Sequence, residues 1–575
     1  MLSGRGLQRG YSYDAVGGHT ELPVRGIRAT QSMSTLTTSY VEARSTLYAE
    51  LPFVAAAGMG GKTRALVRNL STRYPDDTEF APRTGSMLRL SSRTSFATTE
   101  ATAVELELSH DYVTWAMLAA AGVAAISQFL CGFNTSVMNA PEKQVFPGHA
   151  TAEWSLAVAA FAVGGPVGAL AAGSVANHQG RKPALVVDGL LFLGGGLVTS
   201  LAPSMSALAV GRFVVGVASG FSSVLVPLYL GELAPPVLRG AFGTMTQFAL
   251  VLGILASDLL AFWPHLRWRV LFAVSPILAA LQLVGAGFFL FESPRWLLDK
   301  NVASTQARDA LAALYGLIDP EEVEMEVDHI AGANVKCKLR GERSTACDPQ
   351  THKAWADLFQ NDAVRPVLLS CVIIHLAQQL CGINAVFYYS TLFFDGVIDN
   401  PLLGTALVAA VNVAATWLAI ILMDRCGRKT LLACSSAGML ACVVAITFSL
   451  LGVLPDLASL AAVMAYVSFF EIGLGPIPWL IVAEMFELRH VDAAQSIASQ
   501  VNWLANFVVG LTFPYLVAFL GPWCFLPFGL VLALTLTFVS YSLPETRGAS
   551  VAEIQAAMTS HPTHYPLPAY KTTPT

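Results

Sequence analysis

The sequence predicts an all-α membrane protein, with twelve transmembrane helices in two similar six-helix halves. The first observation is composition: of 575 residues, 54% are hydrophobic and only 13% are charged, whereas a typical soluble domain carries about 25% charged residues. The second is a series of uncharged apolar runs, each close to the roughly 20 residues that a bilayer-spanning helix requires. The third is a repeat in the loops between these runs. A soluble enzyme is therefore excluded, and the net charge of −5 gives no sign of a nucleic-acid partner.

The chain divides into five parts. Residues 1–110 are rich in Ser, Thr, Gly and Arg, a composition typical of a mostly disordered tail. The first half then spans 111–291 and the second half 366–545, followed by a tail at 546–575. The linker at 292–365 contains two amphipathic stretches, Leu311–Leu317 and Glu321–Ile330, that predict short helices under the membrane domain. The spans are expected near 113–138, 152–176, 183–203, 207–231, 240–264, 268–291, 366–391, 399–423, 430–453, 458–485, 493–518 and 521–543.

Basic residues predict the orientation of the spans. They concentrate in the even-numbered loops, whereas the odd-numbered loops are poor in them apart from Arg267 and Arg269. Since Lys and Arg favour the cytosolic side, both termini are expected in the cytosol. The even-loop residues are Arg181, Lys182, Arg239, Arg295, Arg425, Arg428, Lys429 and Arg489.

Two local patterns are weak evidence for a nucleotide or a metal. Ala56–Thr63 resembles a relaxed P-loop, but a working P-loop needs a surrounding parallel sheet, and about a hundred polar residues cannot supply one. The nine cysteines are scattered without a CxxC motif, and His329, Cys337, Cys347 and His352 fit no common zinc spacing. We therefore expect no metal and no cofactor.

The repeat lies in the even-numbered loops. Asn177–Lys182 recurs as Asp424–Lys429, and Glu232 recurs as Glu484. Glu292-Ser293-Pro294-Arg295 has a shorter counterpart in Glu545-Thr546-Arg547. An offset of roughly 250 residues in all three loops, each six spans apart, indicates two halves of the same orientation. Such halves are related by an axis along the membrane normal, with a site between them.

The repeated loops place arginines and acids at cytosolic helix ends. Exposed ion pairs contribute only about 0–1 kcal/mol each, but a network can bias an equilibrium of a few kcal/mol between two conformations. We interpret the network as a latch that closes the cytosolic side; the alternative is that these charges only set topology. Its members are Arg181, Glu232, Arg239, Glu292 and Arg295 in the first half and Arg428, Glu484 and Glu545 in the second.

A polar stretch, Gln378–Ser390, lies inside an apolar run that starts near Pro366. Amides and tyrosines are costly in hydrocarbon unless they face protein or water, and Gly382 weakens a helix where they are densest. A discontinuous helix of this kind is how transporters build a substrate site. Paired donors and acceptors suit a neutral, hydroxyl-rich ligand. The alternative is that these side chains only join helices to one another.

Several further motifs accompany this stretch. They are Gly132-Phe133-Asn134-Thr135, Gly211-Arg212-Phe213, Arg239-Gly240-Ala241 with Gln247, Glu292–Arg295, Asp424–Lys429, Gly475-Pro476-Ile477-Pro478-Trp479, Asn502-Trp503 and Pro544-Glu545-Thr546-Arg547-Gly548. Over about 110–550 the chain resembles the sugar porter family of the major facilitator superfamily, especially the facilitative glucose transporters. The resemblance implies the major facilitator fold, a plasma-membrane monomer, and uniport of D-glucose and related hexoses.

The resemblance also implies a set of site residues. The sugar ligands would be Gln247, Gln378, Gln379, Asn384, Asn412, Glu471, Trp479 and Asn502. Tyr388 and Tyr389 would form the extracellular gate, while Gly475, Pro476 and Pro478 would let span ten swing as a cytosolic gate. The chemistry agrees, because sugar hydroxyls need amides and the C–H face of a sugar packs on an aromatic ring.

Departures from the family pattern leave alternatives open. Asn134 replaces the aspartate of proton-coupled members and cannot titrate, although Glu471, Asp258 and His375 remain as other titratable residues in spans. His375-Leu376-Ala377 departs from the glucose-selective pattern, so the preferred hexose is open. In the tenth loop Val491 stands where the family has an arginine. The alternatives are a proton-coupled hexose or polyol symporter, a non-transporting sugar sensor and, on the P-loop-like segment alone, an ATP-driven pump.

Overall fold

The computed structural model describes residues 113–235, 238–263, 267–339, 357–394 and 399–559, and every regular element in these ranges is a helix. The P-loop-like Ala56–Thr63 lies outside the described residues. The first half contains α1 (Trp115–Ser136), α2 (Thr151–Gln179), α3 (Arg181–Ser200), α4 (Met205–Leu233), α5 (Arg239–Ala261) and α6 (Trp268–Phe289). Side-chain caps start two of them, since Thr114 and Ser204 accept from the amides of Met117 and Ala207.

The linker and the second half complete the order. The linker contains α7 (Pro294–Lys300), α8 (Thr305–Tyr315) and α9 (Pro320–Leu339). The second half contains α10 (Arg365–Leu380), α11 (Ile383–Phe394), α12 (Pro401–Arg425), α13 (Arg428–Leu450), α14 (Asp456–Ile472), α15 (Ile477–Met485), α16 (Leu488–Leu520) and α17 (Leu526–Tyr541), and α18 (Val551–Thr559) follows it.

Eleven spans in the described ranges are long and apolar enough to cross a membrane. The helix α17 is a further apolar helix of 16 residues, preceded by a short 3₁₀ turn at Gly521–Trp523. Two spans are each made of two helices: α10 and α11 are separated at Gly382, and α14 and α15 at Gly473. The predicted all-α membrane fold with twelve helices in two halves is thereby confirmed.

Two helix pairs join the halves. In the first, α2 packs on α16: a Cβ on Gly165 would lie 2.2 Å from the Trp503 ring, and Gln500 Nε2 donates to Pro166 O at 3.2 Å. In the second, α5 packs on α12, and the Phe248 and Trp417 rings lie 6.4 Å apart. The helices α1 and α11 also contact each other across the boundary between the halves.

The linker helices pack on the first half. Thr114 Oγ1 donates to Leu314 O at 2.5 Å, and Trp296 Nε1 donates to Asn177 O at 3.1 Å. Both short helices expected in the linker are present, although α8 ends before Gly316, whose φ of +69° stops it. We call this side of the molecule the linker face, and the side where α1 ends and α2 begins the opposite face.

Candidate functional site

The break between α10 and α11 requires glycine. Gly382 has a φ of +90°, and a Cβ there would lie 2.5 Å from the Phe528 ring. A left-handed backbone with no room for a side chain is accessible to glycine alone. Tyr466 Oη donates to Cys381 O, so one carbonyl freed by the break has a partner. The sequence predicted a helix weakened at Gly382, and the structure shows a helix interrupted there.

Four of the predicted amides form one hydrogen-bonded network beside this break. Gln378 Nε2 donates to Gly475 O at 2.6 Å, and Gln378 Oε1 accepts from Asn502 Nδ2 at 2.6 Å. Asn502 Oδ1 accepts from Gln379 Nε2 at 2.9 Å, and Gln379 Oε1 accepts from Asn384 Nδ2. All four amides are buried. We call them the amide network; it joins α10, α11 and α16 to the break in span ten.

The other predicted ligands surround the network less tightly. Gln247 Nε2 on α5 lies 3.5 Å from Glu471 Oε2 on α14, which connects the two halves. The half-buried Trp479 ring lies edge-on to His375, with centroids 5.3 Å apart. Asn412 on α12 is fully buried, and neither atom of its amide has a hydrogen-bond partner among the described residues. Its contacts do not connect it to the network.

The two tyrosines predicted to form a gate, Tyr388 and Tyr389, lie on α11 and are almost fully buried. Tyr388 Oη donates to Asn506 Oδ1 at 2.9 Å, and Tyr389 Oη donates to Gly510 O at 2.7 Å. Both acceptors lie on α16. The hydroxyls therefore hold α11 against α16, next to the amide network on the side of the opposite face.

A contact that sequence reasoning missed fastens α11 to the first half. Asn139, just after α1, donates from Nδ2 to Ser390 Oγ at 2.7 Å and accepts from the Thr391 amide at 2.9 Å. We call this contact the Asn139 clamp. It joins the two halves at the opposite face. The signal available in the sequence was an asparagine directly after a span.

At the break in span ten, the end of α14 packs closely against α13. A Cβ on Gly473 would lie 2.5 Å from Leu431 O, so α14 approaches α13 closely where it ends. Gly475 donates its amide to Phe470 O at 2.8 Å, and α15 then starts after Pro476 with Pro478 in its first turn. Proline at the start of a helix has no amide to lose, so α15 is a separate segment.

The first charge cluster lies at the start of α3 on the linker face. Arg181 donates through Nε and Nη2 to the two carboxylate oxygens of Glu232, each at 2.8 Å. Glu292 Oε1 accepts from the Arg181 amide at 2.7 Å and from the Ser293 amide at 2.9 Å. Burial raises the pKa of Glu292, while these backbone donors, with Lys182, lower it. Glu292 thus supplies the acceptor that the first turn of α3 lacks.

The second half repeats the arrangement. Arg428 Nε donates to Glu484 Oε1 at 2.9 Å, and the Arg428 amide donates to Glu545 Oε1 at 2.8 Å. Thr546 Oγ1 donates to Glu484 Oε2 at 2.5 Å. Each cluster lies within its own half, and no ion pair among the described residues joins the halves.

Two predicted members of the clusters stand apart. The side chain of Arg239, at the start of α5, lies outside the described part of the structure. Arg295 makes no hydrogen bond through Nε, and its charge acts on Glu326 and Tyr315 of the linker helices. The described contacts therefore connect three predicted residues in each half.

Comparison with known sequences identifies the family. The sequence model described as "Sugar (and other) transporter" matches residues 114–558, which is most of the chain and all twelve spans. The chain belongs to this sugar transporter family. The match covers both the amide network and the two charge clusters.

Relatives of this sugar transporter include named glucose transporters. The chain is 35% identical over 475 residues to solute carrier family 2, facilitated glucose transporter member 3 of Oryctolagus cuniculus, covering 77% of this chain and 93% of that protein. It is 36% identical over 477 residues to member 4 of Homo sapiens, covering 77% and 91% respectively. These alignments extend over almost the full length of both relatives.

Solved structures support the fold of the sugar transporter. The inward open conformation of the xylose transporter XylE from E. coli superposes with a TM-score of 0.64 at 24% identity, covering 76% of this chain and 99% of that chain. The partially occluded inward open conformation of XylE gives a TM-score of 0.63 at 23% identity, covering 76% and 100%.

A glycine precedes each charge cluster of this sugar transporter, and the glycine of the second cluster allows the packing there to be tested. A Cβ on Gly427 would lie 2.0 Å from Glu545 Oε2, although its φ of −72° suits any residue. Gly427→Ala is therefore expected to displace the carboxylate and to lower stability by about 1–3 kcal/mol. Thermal unfolding of the purified protein measures the effect. The control is Gly231→Ala, where a Cβ meets nothing within 4 Å; an equal midpoint for the two variants would contradict the steric account.

Two further acids, Asp258 and Asp188, are buried inside spans of this sugar transporter. Asp258 on α5, noted from the sequence, accepts from Ser136 Oγ at 2.5 Å. Asp188 on α3, which sequence reasoning missed, is fully buried and lies away from the amide network. Its signal in the sequence was an acid inside an apolar run, between Val187 and Gly189.

Proposed function

We propose that this sugar transporter carries D-glucose and related hexoses by facilitative uniport with alternating access. The observation that carries the proposal is the amide network, a set of neutral donors and acceptors at the breaks of two spans, near the boundary between two similar halves. Relatives that bear the name facilitated glucose transporter support the substrate class.

The network has the chemistry of a sugar site. Each sugar hydroxyl both donates and accepts, as an amide does, so a sugar replaces the bonds that the amides make to one another. Trp479 offers an apolar face for the C–H groups of the ring. An anionic substrate would need a cation; the buried Arg212 on α4 instead donates to Asn134 O at 2.6 Å and covers the Phe161 ring.

The contacts suggest how the halves alternate. The Asn139 clamp and the bonds from the tyrosines of α11 to α16 lie on the side of the opposite face, and we infer that they close it. We assign the opposite face to the outside of the plasma membrane and the linker face, with both termini, to the cytosol. Outward opening then breaks the Asn139 clamp, while α15 closes the cytosolic side as the two charge clusters approach each other.

Asn134 favours uniport over symport. Its Nδ2 donates to Leu130 O at 2.8 Å and to Ser275 Oγ at 2.9 Å, so neutral partners satisfy it. An amide cannot release a proton, so the guanidinium of Arg212 faces no titratable partner at this position. Proton-coupled symport of a hexose or polyol is the second candidate, and the buried Asp258 and Glu471 are the observations in its favour.

Uptake of labelled D-glucose into proteoliposomes tests the proposal. We expect uptake to stop when the inside and outside concentrations are equal, with or without an imposed inward proton gradient, because no group couples the proton to the sugar. Accumulation above the outside concentration that a protonophore abolishes would establish symport instead. Absence of any glucose uptake, with a folded protein that binds the sugar, would favour a sensor.

A further inference from the structure

Asp188 is a buried acid that the proposed transport mechanism does not use. At 1.5 Å per residue along α3, it lies about 10 Å from the linker face. It is fully buried, and neither carboxylate oxygen has a hydrogen-bond partner among the described residues. It lies in the interior of the first half, away from the amide network. An isolated carboxylate is among the most costly groups to bury.

The polar neighbours of Asp188 on α1 and α6 are uncharged, and none of the described residues gives its carboxylate a full hydrogen bond. Ser127 on α1 lies beside the carboxyl group, and its hydroxyl approaches as a donor without completing a full hydrogen bond; Ser127 Oγ also accepts from Gln282 Nε2 of α6 at 2.6 Å. Gln282 Oε1 is buried without a partner, and it lies 3.9 Å from where a Cβ on the adjacent Gly189 would stand. The cluster therefore contains three unpaired acceptor oxygens, two on Asp188 and one on Gln282.

Among the described residues, no cation compensates the carboxyl group. On α1 the titratable neighbour is Cys131, a neutral thiol. On α6 the charged residue is Arg269, which donates to Ala202 O at the opposite face. Charged residues of α2 and α3, which are Glu153, His178, Arg181 and Lys182, stand at helix ends. On α4, Glu232 bonds Arg181, and the charge of Arg212 acts on Tyr388 and Tyr389.

We propose that Asp188 is a proton-binding site of the first half, separate from the sugar site. A proton taken from water makes the carboxyl group neutral and converts one of its oxygens into a donor. The new O–H group supplies a bond to an acceptor of the cluster, Ser127 Oγ or Gln282 Oε1. One proton thus removes the buried charge.

The proton stays on Asp188 while the sugar moves, so the site adds no driving force to uniport. Its loss at alkaline pH leaves an unpaired anion between α1, α3 and α6, and these helices must separate to admit water. Since α1 ends at the Asn139 clamp, a disturbed α1 slows transport. The proton site stands whichever sugar is carried and whether or not a gradient drives uptake.

Infrared spectroscopy tests the proton directly. In the purified protein at neutral pH we expect a protonated-carboxyl C=O band that shifts in D₂O and is diminished in Asp188→Asn. The matched control, Asp258→Asn, removes another buried acid and leaves the Asp188 component in place. A parent protein with no such band, or a band of unchanged size in Asp188→Asn, would overturn the proposal without reference to transport. Loss of the band on addition of sodium ions at fixed pH would mean that the site binds sodium in place of a proton.

The pH dependence of sugar uptake provides a second test. Uptake by the parent protein is expected to decline on the alkaline side by about tenfold for each further pH unit, as a single proton dissociates. Asp188→Asn should transport at the parent rate at neutral pH and lose this decline, since its amide is neutral and donates to the same acceptors. Parallel alkaline declines in both proteins would count against Asp188 as the site. Should that variant fail to fold, the Asp258→Asn protein still decides, because loss of the whole band in it would overturn the proposal.

Discussion

Replacing Gln378 by alanine is expected to lower kcat/KM for glucose by about 10- to 100-fold. The side chain of Gln378 donates to Gly475 O and accepts from Asn502, both at 2.6 Å, and in the proposed site it bonds a sugar hydroxyl that its loss leaves unpaired. Each unpaired buried group costs about 1–3 kcal/mol, and each 1.4 kcal/mol corresponds to about tenfold. Initial rates of uptake at several glucose concentrations measure the change.

The matched control is Gln128→Ala. Gln128 is also a buried glutamine that donates to a main-chain carbonyl, Ser222 O at 3.0 Å, but it lies in the first half away from the amide network. We expect it to lower stability while its kinetic constants stay near those of the parent. Equal losses of kcat/KM in the two variants would mean that Gln378 supports the fold and does not bind the sugar.

Arg181→Ala is expected to lower stability by about 3 kcal/mol and to reduce uptake. The side chains of Arg181 and Glu232 are only 8% and 12% exposed, and removal of one partner of a buried pair leaves the other charge uncompensated. The negative charge of Glu292 lies beside the same site and adds to the imbalance. Thermal unfolding in detergent measures the stability, and thiol labelling from each side of proteoliposomes measures the resting conformation.

A surface pair of the same chemistry provides the control for Arg181. Arg308 and Glu324 in the linker are 2.6 Å apart, but their side chains are 28% and 53% exposed. Because an exposed pair contributes little, Arg308→Ala should leave both the stability and the conformation close to those of the parent. If Arg181→Ala labels as the parent does from both sides, the clusters only set topology and are not a latch.

The features that sequence predicted are those that are local in the chain. Gly382 was recognisable because a glycine among amides is costly inside an apolar span, and the structure interrupts the helix there. The charge clusters were recognisable because the same short pattern occurs twice. In each case a few neighbouring residues carried the signal.

The features that sequence did not predict depend on residues far apart in the chain. The Asn139 clamp joins positions separated by about 250 residues, and no periodicity marks asparagine as a partner of Ser390. Asp188 was one acid in a long span until Ser127 and Gln282 were placed beside it. Hydropathy locates a span in the membrane but not the rotation that decides which side chains meet.

The amide network has a consequence for how firmly a sugar is held. Its members bond to one another in this structure, so under the proposed function a sugar that enters exchanges hydrogen bonds and adds few. The net gain per contact is then small, as in exchanges with water, and binding is weak. Weak binding of the ground state leaves no deep energy well between entry and release. A carrier built in this way favours rapid turnover over capture at low concentration.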